Sequence, residues 1–205
     1  DIDVYGNSSG TNYGITGGIL DGSSSASLNK GGSGGRWLEL KGNNSYTGPT
    51  TIEAGYLKIT NDNPHTFLAN TTISGPGHLQ IAPTNANFGS PLTVSGINLT
   101  NSPKIGRLYL GKSGISTKLV LDADITTNGR IYNYMPTEVN GGDRSISTTN
   151  DHINFYSTID SDTTAARSLT INSGNEDITI NNSAAIGGSQ PLNNLTITAE
   201  NLSTA

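Results

Sequence analysis

Residues 38–60 read LELKGNNSYTGPTTIEAGYLKIT: two short alternating segments, Leu38-Glu39-Leu40 and Leu57-Lys58-Ile59, flank a run of Asn, Gly, Pro and Thr. In an extended chain residues i and i+2 share a face. Leu38 and Leu40 therefore point one way and Glu39 the other. Strands this short cannot bury enough apolar surface alone, so the question is what they pack against. The answer lies in recurrence. Ile52 in TTIEAGYLKI matches Ile73 in TTISGPGHLQI and Val94 in LTVSGINLTN, each 21 residues on. The second strand of each unit gives Leu38, Leu57, Leu79 and Leu99, at spacings of 19, 22 and 20.

A longer version occupies the C-terminal half, where residues 146–171 resemble residues 169–197. Ile153 maps to Ile178 and Ile159 to Ile186, while Ile146, Leu169 and Leu195 mark the starts of successive units. KLVLDADITTNGRIY, residues 118–132, reads as one more unit. A repeat of 20–27 residues with one or two short strands predicts a solenoid. Each strand pairs in parallel with its copy about 4.8 Å above and below, and the inward Leu and Ile align in ladders. The expectation is an all-β parallel solenoid of roughly eight or nine coils, a rod on the order of 40 Å long. GNNSYTGPT, SGPG, GKSG, NGGD, NSGN and IGGSQP are then corners: Gly supplies positive φ, Asn tolerates it and Pro fixes φ. An antiparallel β-sandwich is the competing reading, but sandwich strands need not repeat one another in register. Residues 1–35 (IDVYG, GITGGIL and the Gly/Ser run at 31–35) are expected to form a first coil or cap, and residues 36–205 the body. The chain opens on Asp1 and stops at NLSTA in mid-pattern, which suggests a piece of something longer.

Charged residues are only 13 % and hydrophobic ones 32 %, against 26 glycines, which fits either disorder or a turn-rich β protein; the alternating Ile, Leu and Val decide for the latter. A net charge of −5 with no basic stripe argues against a nucleic-acid partner and against an anionic-lipid patch. Cysteine is absent, which excludes disulfides and thiolate metal sites. That absence suits a cytosolic protein and, better, a bacterial exported one that crosses an envelope unfolded. No apolar run of about 18 residues is present, so no helical membrane insertion of this segment is expected, and no signal peptide is visible.

Candidate sites are few. Asp122 and Asp124 in LDAD, and Asp160 and Asp162 in DSD, lie at alternate positions, near the carboxylate separation of about 5–9.5 Å that glycoside hydrolysis uses. His65, His78 and His152 are not paired at metal-ligand spacing, and neither an EF-hand loop nor a calcium nonapeptide array appears, although corner Asp and Asn supply oxygen ligands. Ser33 in GGSGG has the spacing of a nucleophile elbow without its strand and helix. No cofactor is implied. The binding hint is aromatic: Trp37, Tyr46, Tyr56, Tyr132, Tyr134 and Tyr156 are expected on outward or corner positions, where rings stack on sugars or protein partners. Outward Thr170, Thr179, Thr196 and Thr198 raise a minor alternative, an ice-binding array.

NKGGSGGRWLELKGNNSYTGPTTIEAGYLKIT, residues 29–60, resembles the passenger-associated repeat of bacterial autotransporters. The matching positions are Lys30, Gly32, Gly34, Leu38, Leu40, Gly42, Asn44, Tyr46, Gly48, Thr50, Thr51, Ile52, Gly55 and Leu57; Trp37 and Pro49 depart from the pattern. Residues 118–198 resemble more loosely the repeats of filamentous-haemagglutinin-like secreted adhesins, through Gly187, Leu192, Leu195, Thr196 and Ile197. Both resemblances imply a single-stranded right-handed parallel β-helix, exported through the outer membrane and displayed at the bacterial cell surface. They imply a non-enzymatic role in adhesion, self-association or as a stalk, with a surface glycan, a protein or copies of itself as partner. The alternative is a polysaccharide-cleaving lyase or hydrolase, since such enzymes also use β-helices. Their Asn-Thr-Asp, Asp-Asp and Gly-His-Gly motifs are missing here; GPGHLQI has Leu79 where the second Gly would stand.

Overall fold

The computed structural model describes residues 2–6, 12–32, 35–99, 104–181 and 185–204. Ser33 and Gly34, singled out from the sequence, lie outside the described residues. The chain winds as a parallel β-solenoid of about eight turns, with one short helix among the described residues. Its axis is a nine-stranded sheet built from Tyr13–Ile15, Trp37–Leu40, Tyr56–Thr60, His78–Ala82, Arg107–Leu110, Ile131–Asn133, Ile153–Phe155, Ile178–Ile180 and Leu202–Thr204. Successive strands lie one turn apart, so the nine strands span eight turns, and every pairing in this sheet is parallel.

The expected ladder is present here. Leu38, Leu57, Leu79, Leu108, Ile131, Ile153 and Ile178 stand in register and are each at most 1 % exposed. Burying a Leu or Ile fully contributes about 1.5–3 kcal/mol, so a column of seven outweighs what any one three-residue strand could supply. The column ends on Leu202, which is 53 % exposed because no further turn covers it among the described residues.

A second face precedes each of these strands. It is a four-stranded sheet in the first turns (Ile2–Gly6, Leu28–Gly32, Thr50–Ile52, Ile73–Ser74) and another in the later ones (Ile125–Thr127, Arg144–Thr148, Ser168–Asn172, Asn194–Thr198). The third face is a strand only from the fourth turn on: Leu92–Thr93, Leu119–Leu121, Thr137–Val139 and Ile159–Ser161. Ile159 pairs onward with Ile186, and Ile153 with Ile178, as the repeat predicts.

Four register expectations are corrected. Ile73 stacks on Thr50, not Ile52, and is followed by Leu99. The reason is the Gly75-Pro76-Gly77 corner, which crosses directly over Ile52. The Gly77 N–H donates to the Ile52 carbonyl at 2.7 Å, and a Cβ on Gly75 (φ +112°) would stand 2.3 Å from that oxygen. Val94 follows Leu92–Thr93 on the third face, where its N–H donates to the Val120 carbonyl. The successor of Leu79 is Leu108, not Leu99, which bridges Ile73 on the preceding face instead. Ile146 pairs with Ile171, and Leu169 with Arg144 and Leu195; a slip of two residues keeps every inward side chain inward, so alternation alone does not detect it.

The helix, His65–Asn70, was not legible as a strand breaker. Phe67 and Leu68 are adjacent and both buried. Neighbouring residues in a strand face opposite ways, whereas one helical turn can present both to the core. Tyr46 is a further correction: it is fully buried, at 0 % exposure. Where residues 41–49 cross without a strand, the ring fills the interior and packs at 4.9 Å against Phe67. Its hydroxyl is 2.7 Å from Thr50 Oγ1, which is 3.0 Å from Thr71 Oγ1, and Thr71 donates to the Gly48 carbonyl at 2.7 Å. Burial pushes the Tyr46 phenol up to about 12.

Candidate functional site

Because inward and outward positions alternate along each strand of the nine-stranded sheet, the positions between the buried ones form outward rows. In one row Trp37, Tyr56, His78 and Arg107 follow in register. In the next, Glu39, Lys58 and Gln80 lead to Tyr109 and Tyr132, then Asn154. Parallel in-register stacking brings like residues face to face one strand spacing apart. Trp37 and Tyr56 accordingly stack at 5.0 Å, Tyr109 and Tyr132 at 4.6 Å, and Tyr134 and Tyr156 at 4.6 Å with planes 8° apart. Tyr56 bridges the rows, with its centroid 4.5 Å from His78 and 6.1 Å from Tyr109.

This geometry qualifies the aromatic hint. Trp37, Tyr56, Tyr132, Tyr134 and Tyr156 do lie on outward or corner positions, but their faces largely cover one another and they offer edges and hydroxyls to solvent. Tyr156 is the most exposed of them, at 36 %. Burial, with the neighbouring Tyr56, raises the Tyr109 phenol to about 12; burial also raises Tyr134 and, with Arg107 nearby, lowers His78. Tyr109 was missed in the sequence although Leu108-Tyr109-Leu110 alternates like Leu38-Glu39-Leu40, because Leu99 was placed in the ladder instead.

Trp37 ends its row. Beneath it in the preceding turn stands Asn12, an amide in place of a ring, whose Oδ1 accepts from the Trp37 N–H at 3.2 Å. The register partner of Glu39 is Gly14, which has no side chain. A depression of about 410 Å³ opens there, lined by Asn12, Gly14, Trp37, Glu39, Lys41 and Lys58, with Tyr13 at its rim. Glu39 holds both lysines, at 3.2 Å each, and accepts from Thr60 Oγ1 at 2.7 Å. Burial would raise the Glu39 carboxyl, but the hydrogen bonds from Thr60, Lys58 and Lys41 outweigh it and hold it below its ordinary value. Lys58 Nζ also stands 5.9 Å from the Trp37 ring centre.

Farther along the face is a second charged group. Arg130 Nε donates to Asp151 at 3.1 Å and its guanidinium reaches the Tyr132 hydroxyl at 3.1 Å, while His152 Nε2 lies 3.3 Å from Glu176. Among the described residues no three His, Asp or Glu side chains are grouped so as to hold a metal ion.

The two carboxylate pairs do not converge. Asp122 accepts from the Ser95 N–H of the preceding turn at 2.8 Å, and Asp124 from the Ser145 N–H of the following turn at 2.8 Å. Asp160 accepts from the Ser189 and Gln190 N–H groups of the following turn, at 2.9 and 3.2 Å. Asp162 accepts from Gly141 of the preceding turn and from Thr164, Ala165 and Arg167 of its own corner. Each pair is thus divided between the neighbours above and below. The threonines also separate: Thr170 and Thr196 share a row and Thr198 continues the next one, whereas Thr179 belongs to the nine-stranded sheet. Compared with protein-family models, with curated proteins and with solved structures, the chain finds no match.

Proposed function

We propose that this chain is part of a bacterial surface-exposed or secreted β-helical protein that works without catalysis, in adhesion, self-association or as a rigid stalk. The observation that carries the reading is the outward face of the nine-stranded sheet. Trp37, Tyr56, His78 and Arg107 follow one another in one row, and Tyr109 stacks on Tyr132 in the next, the form of an extended recognition surface. The partner is a glycan or protein of a host or bacterial surface, or another copy of the chain. Display outside the cell rests on the resemblance of residues 29–60 to the autotransporter repeat. The division of Asp122, Asp124, Asp160 and Asp162 between neighbouring turns supports a structural use of these acids.

A second reading, a polysaccharide lyase or hydrolase, draws on the group around Arg130, Asp151, His152 and Glu176, where guanidinium, acid and imidazole meet. One set of measurements separates the two. The purified chain is applied to a glycan array, followed by sedimentation velocity, and incubated with plant and bacterial polysaccharides while reducing ends and unsaturated products are assayed. Binding or association without product supports the non-enzymatic reading; product released from any of the polysaccharides overturns it.

A further inference from the structure

The depression at Trp37 joins an open ring face to a gap in the neighbouring row. Tyr109 and Tyr132 also form a stacked pair, but their row neighbours, Gln80 and Asn154, both carry side chains. Trp37 is covered by Tyr56 on one side only; on the other its row neighbour is Asn12. The row beside it is emptied by Gly14, so the hollow has an indole wall, a backbone floor and a polar rim. The rim is amphoteric: Glu39 accepts hydrogen bonds, while Lys41 and Lys58 donate them, each already ion-paired to Glu39 at 3.2 Å. An anion would compete with Glu39 for the lysines, and a flat aromatic ligand would leave the rim unused. A neutral sugar fits both parts, because a pyranose has an apolar C–H face for the indole and a rim of hydroxyls that donate and accept. The volume of about 410 Å³ is within the range of small-ligand sites.

We propose that this depression is a saccharide subsite in which one neutral pyranose ring stacks on Trp37 in the space left by Gly14, its hydroxyl groups bonded to Glu39, Lys41, Lys58 and Asn12. The proposal rests on reading the chain as a binding surface, and it names the ligand class of one place on that surface. A single exposed ring site of this kind predicts weak monovalent binding, with Kd on the order of millimolar. Display in many copies raises it by avidity.

Trp37 is the sole tryptophan of the chain, so tryptophan emission, excited selectively over the tyrosines, reports on this site alone. Wild-type protein is titrated with oligosaccharides of glucose, galactose, N-acetylglucosamine and galacturonate. The expected result is a saturable change in emission with one or more of the neutral sugars. Gly14→Leu fills the hollow from the opposite turn: Gly14 is not in the left-handed region, and a Cβ there meets nothing nearer than the Glu39 carbonyl at 4.0 Å. This variant keeps Trp37 as reporter and should bind at least about tenfold more weakly with an unchanged circular dichroism spectrum. Trp37→Ala, followed by calorimetry, should lose binding, while Glu200→Ala, at an exposed corner of the last turn, should retain it. If Gly14→Leu and Trp37→Ala bind a sugar as well as wild type, the site is refuted while glycan adhesion stands. If no sugar binds, or only galacturonate does, the proposal is overturned, and sedimentation still tests self-association by itself.

Discussion

Among the described residues, the third side of the solenoid contains no strand in the first turns; in the later turns it does. Residues 41–49 cross that side by side-chain chemistry. Asn44 Oδ1 accepts from Ile19 N–H at 3.0 Å, and Asp21 accepts from Ala26 N–H at 2.7 Å and from Thr47 N–H at 3.1 Å; Tyr46 fills the space inside. In the next turn a helix, His65–Asn70, does the same work with Phe67 and Leu68. From Leu92 onward the backbone takes over, with Leu92, Leu119 and Thr137 in register and Thr137 paired to Ile159. Both solutions satisfy the backbone polar groups, as any buried segment must. They differ in where the specificity resides. A strand ladder tolerates exchange among apolar side chains, whereas a wall made by Asn44, Asp21 and Tyr46 depends on those individual groups.

The largest expected effect follows from that dependence. Tyr46→Ala removes a fully buried ring and the hydroxyl bonded to Thr50, so the destabilisation should be about 3–5 kcal/mol. Because solenoid turns couple mainly to their neighbours, the loss should be concentrated in the N-terminal half. Urea unfolding followed by Trp37 emission should then precede the transition seen by far-ultraviolet circular dichroism, which reports all the strands. Coincident transitions would show that the two halves melt as one unit and that the contrast between their walls has no energetic meaning.

The converse experiment lies in the strand-built half. Asn133 sits in the inward row between Leu110 and Phe155 and is 2 % exposed. It turns the corner by accepting from the Met135 N–H at 3.1 Å and donating to the Met135 carbonyl at 3.2 Å and to Thr137 Oγ1 at 2.6 Å. Asn133→Ala leaves the Met135 N–H buried without its acceptor, a cost of about 1–3 kcal/mol, while Thr137 Oγ1 still donates to the Met135 carbonyl at 3.3 Å. The dichroism midpoint should fall while the Trp37 midpoint moves less. An equal fall of both would again join the halves.

The same contrast explains what could be read from the sequence. Where a face is strand-built, period-two alternation and repeat spacing located the strands: Leu38 with Leu57 and Leu79, Ile153 with Ile178, Ile159 with Ile186. Where side chains or a helix build the turn, no periodicity marks it, and Tyr46, Phe67 and Leu68 were not recognised as core. Register within a face was legible only to within two residues, since a slip of two preserves inward and outward sides. Of the site, Trp37 and Tyr56 could be named from residue type. Their partners Gly14 and Asn12 could not, because only the register, set by Tyr13 on Leu38, places them beside Trp37 and Glu39.

A smaller and opposite effect is expected from Lys30. It occupies an inward position between Val4 and Ile52, buried, with Nζ donating to the carbonyls of Gly31 at 2.6 Å and Ala54 at 3.2 Å. Burial lowers its ammonium below the ordinary lysine value. The folded state therefore disfavours the charged form, a penalty fully present at neutral pH. It is relieved as pH rises through the lowered value toward about 10.4. Lys30→Met keeps the apolar stem and removes the charge, while leaving two carbonyls without this donor. The net gain at neutral pH should be at most about 1 kcal/mol, seen in the Trp37 transition and vanishing in alkaline buffer. A loss of stability would mean that the two carbonyl bonds outweigh the buried charge.

The smallest effects per residue belong to the carboxylates that bind turn to turn, and they test whether the two walls respond alike to acid. Asp21 is held below the ordinary carboxylate value first by the Ala26 N–H and then by Thr47, and Asp62 first by the Asn85 N–H. In the later turns Asp162 is held low first by the Thr164 hydroxyl, then by the Ala165 N–H and by Arg167. Each is depressed in the folded state. Its contribution is complete above the unfolded value of about 3.9 and is lost as pH falls through that value and below it. Stability should be level near neutrality and fall in acid, with a stronger effect of salt on the partly exposed Asp21 and Asp62 than on Asp162, which is 4 % exposed. Asp21→Asn should flatten the acid limb of the Trp37 transition and leave the dichroism limb nearly unchanged, while Asp162→Asn should do the reverse. In the first turns Asp21 substitutes for a missing strand, whereas Asp162 secures a corner beside one already formed. Acid-limb flattening follows the size of the depression, which is the larger at Asp162, so it should be the greater for Asp162, and equal flattening would show that a carboxylate contributes the same beside either kind of wall.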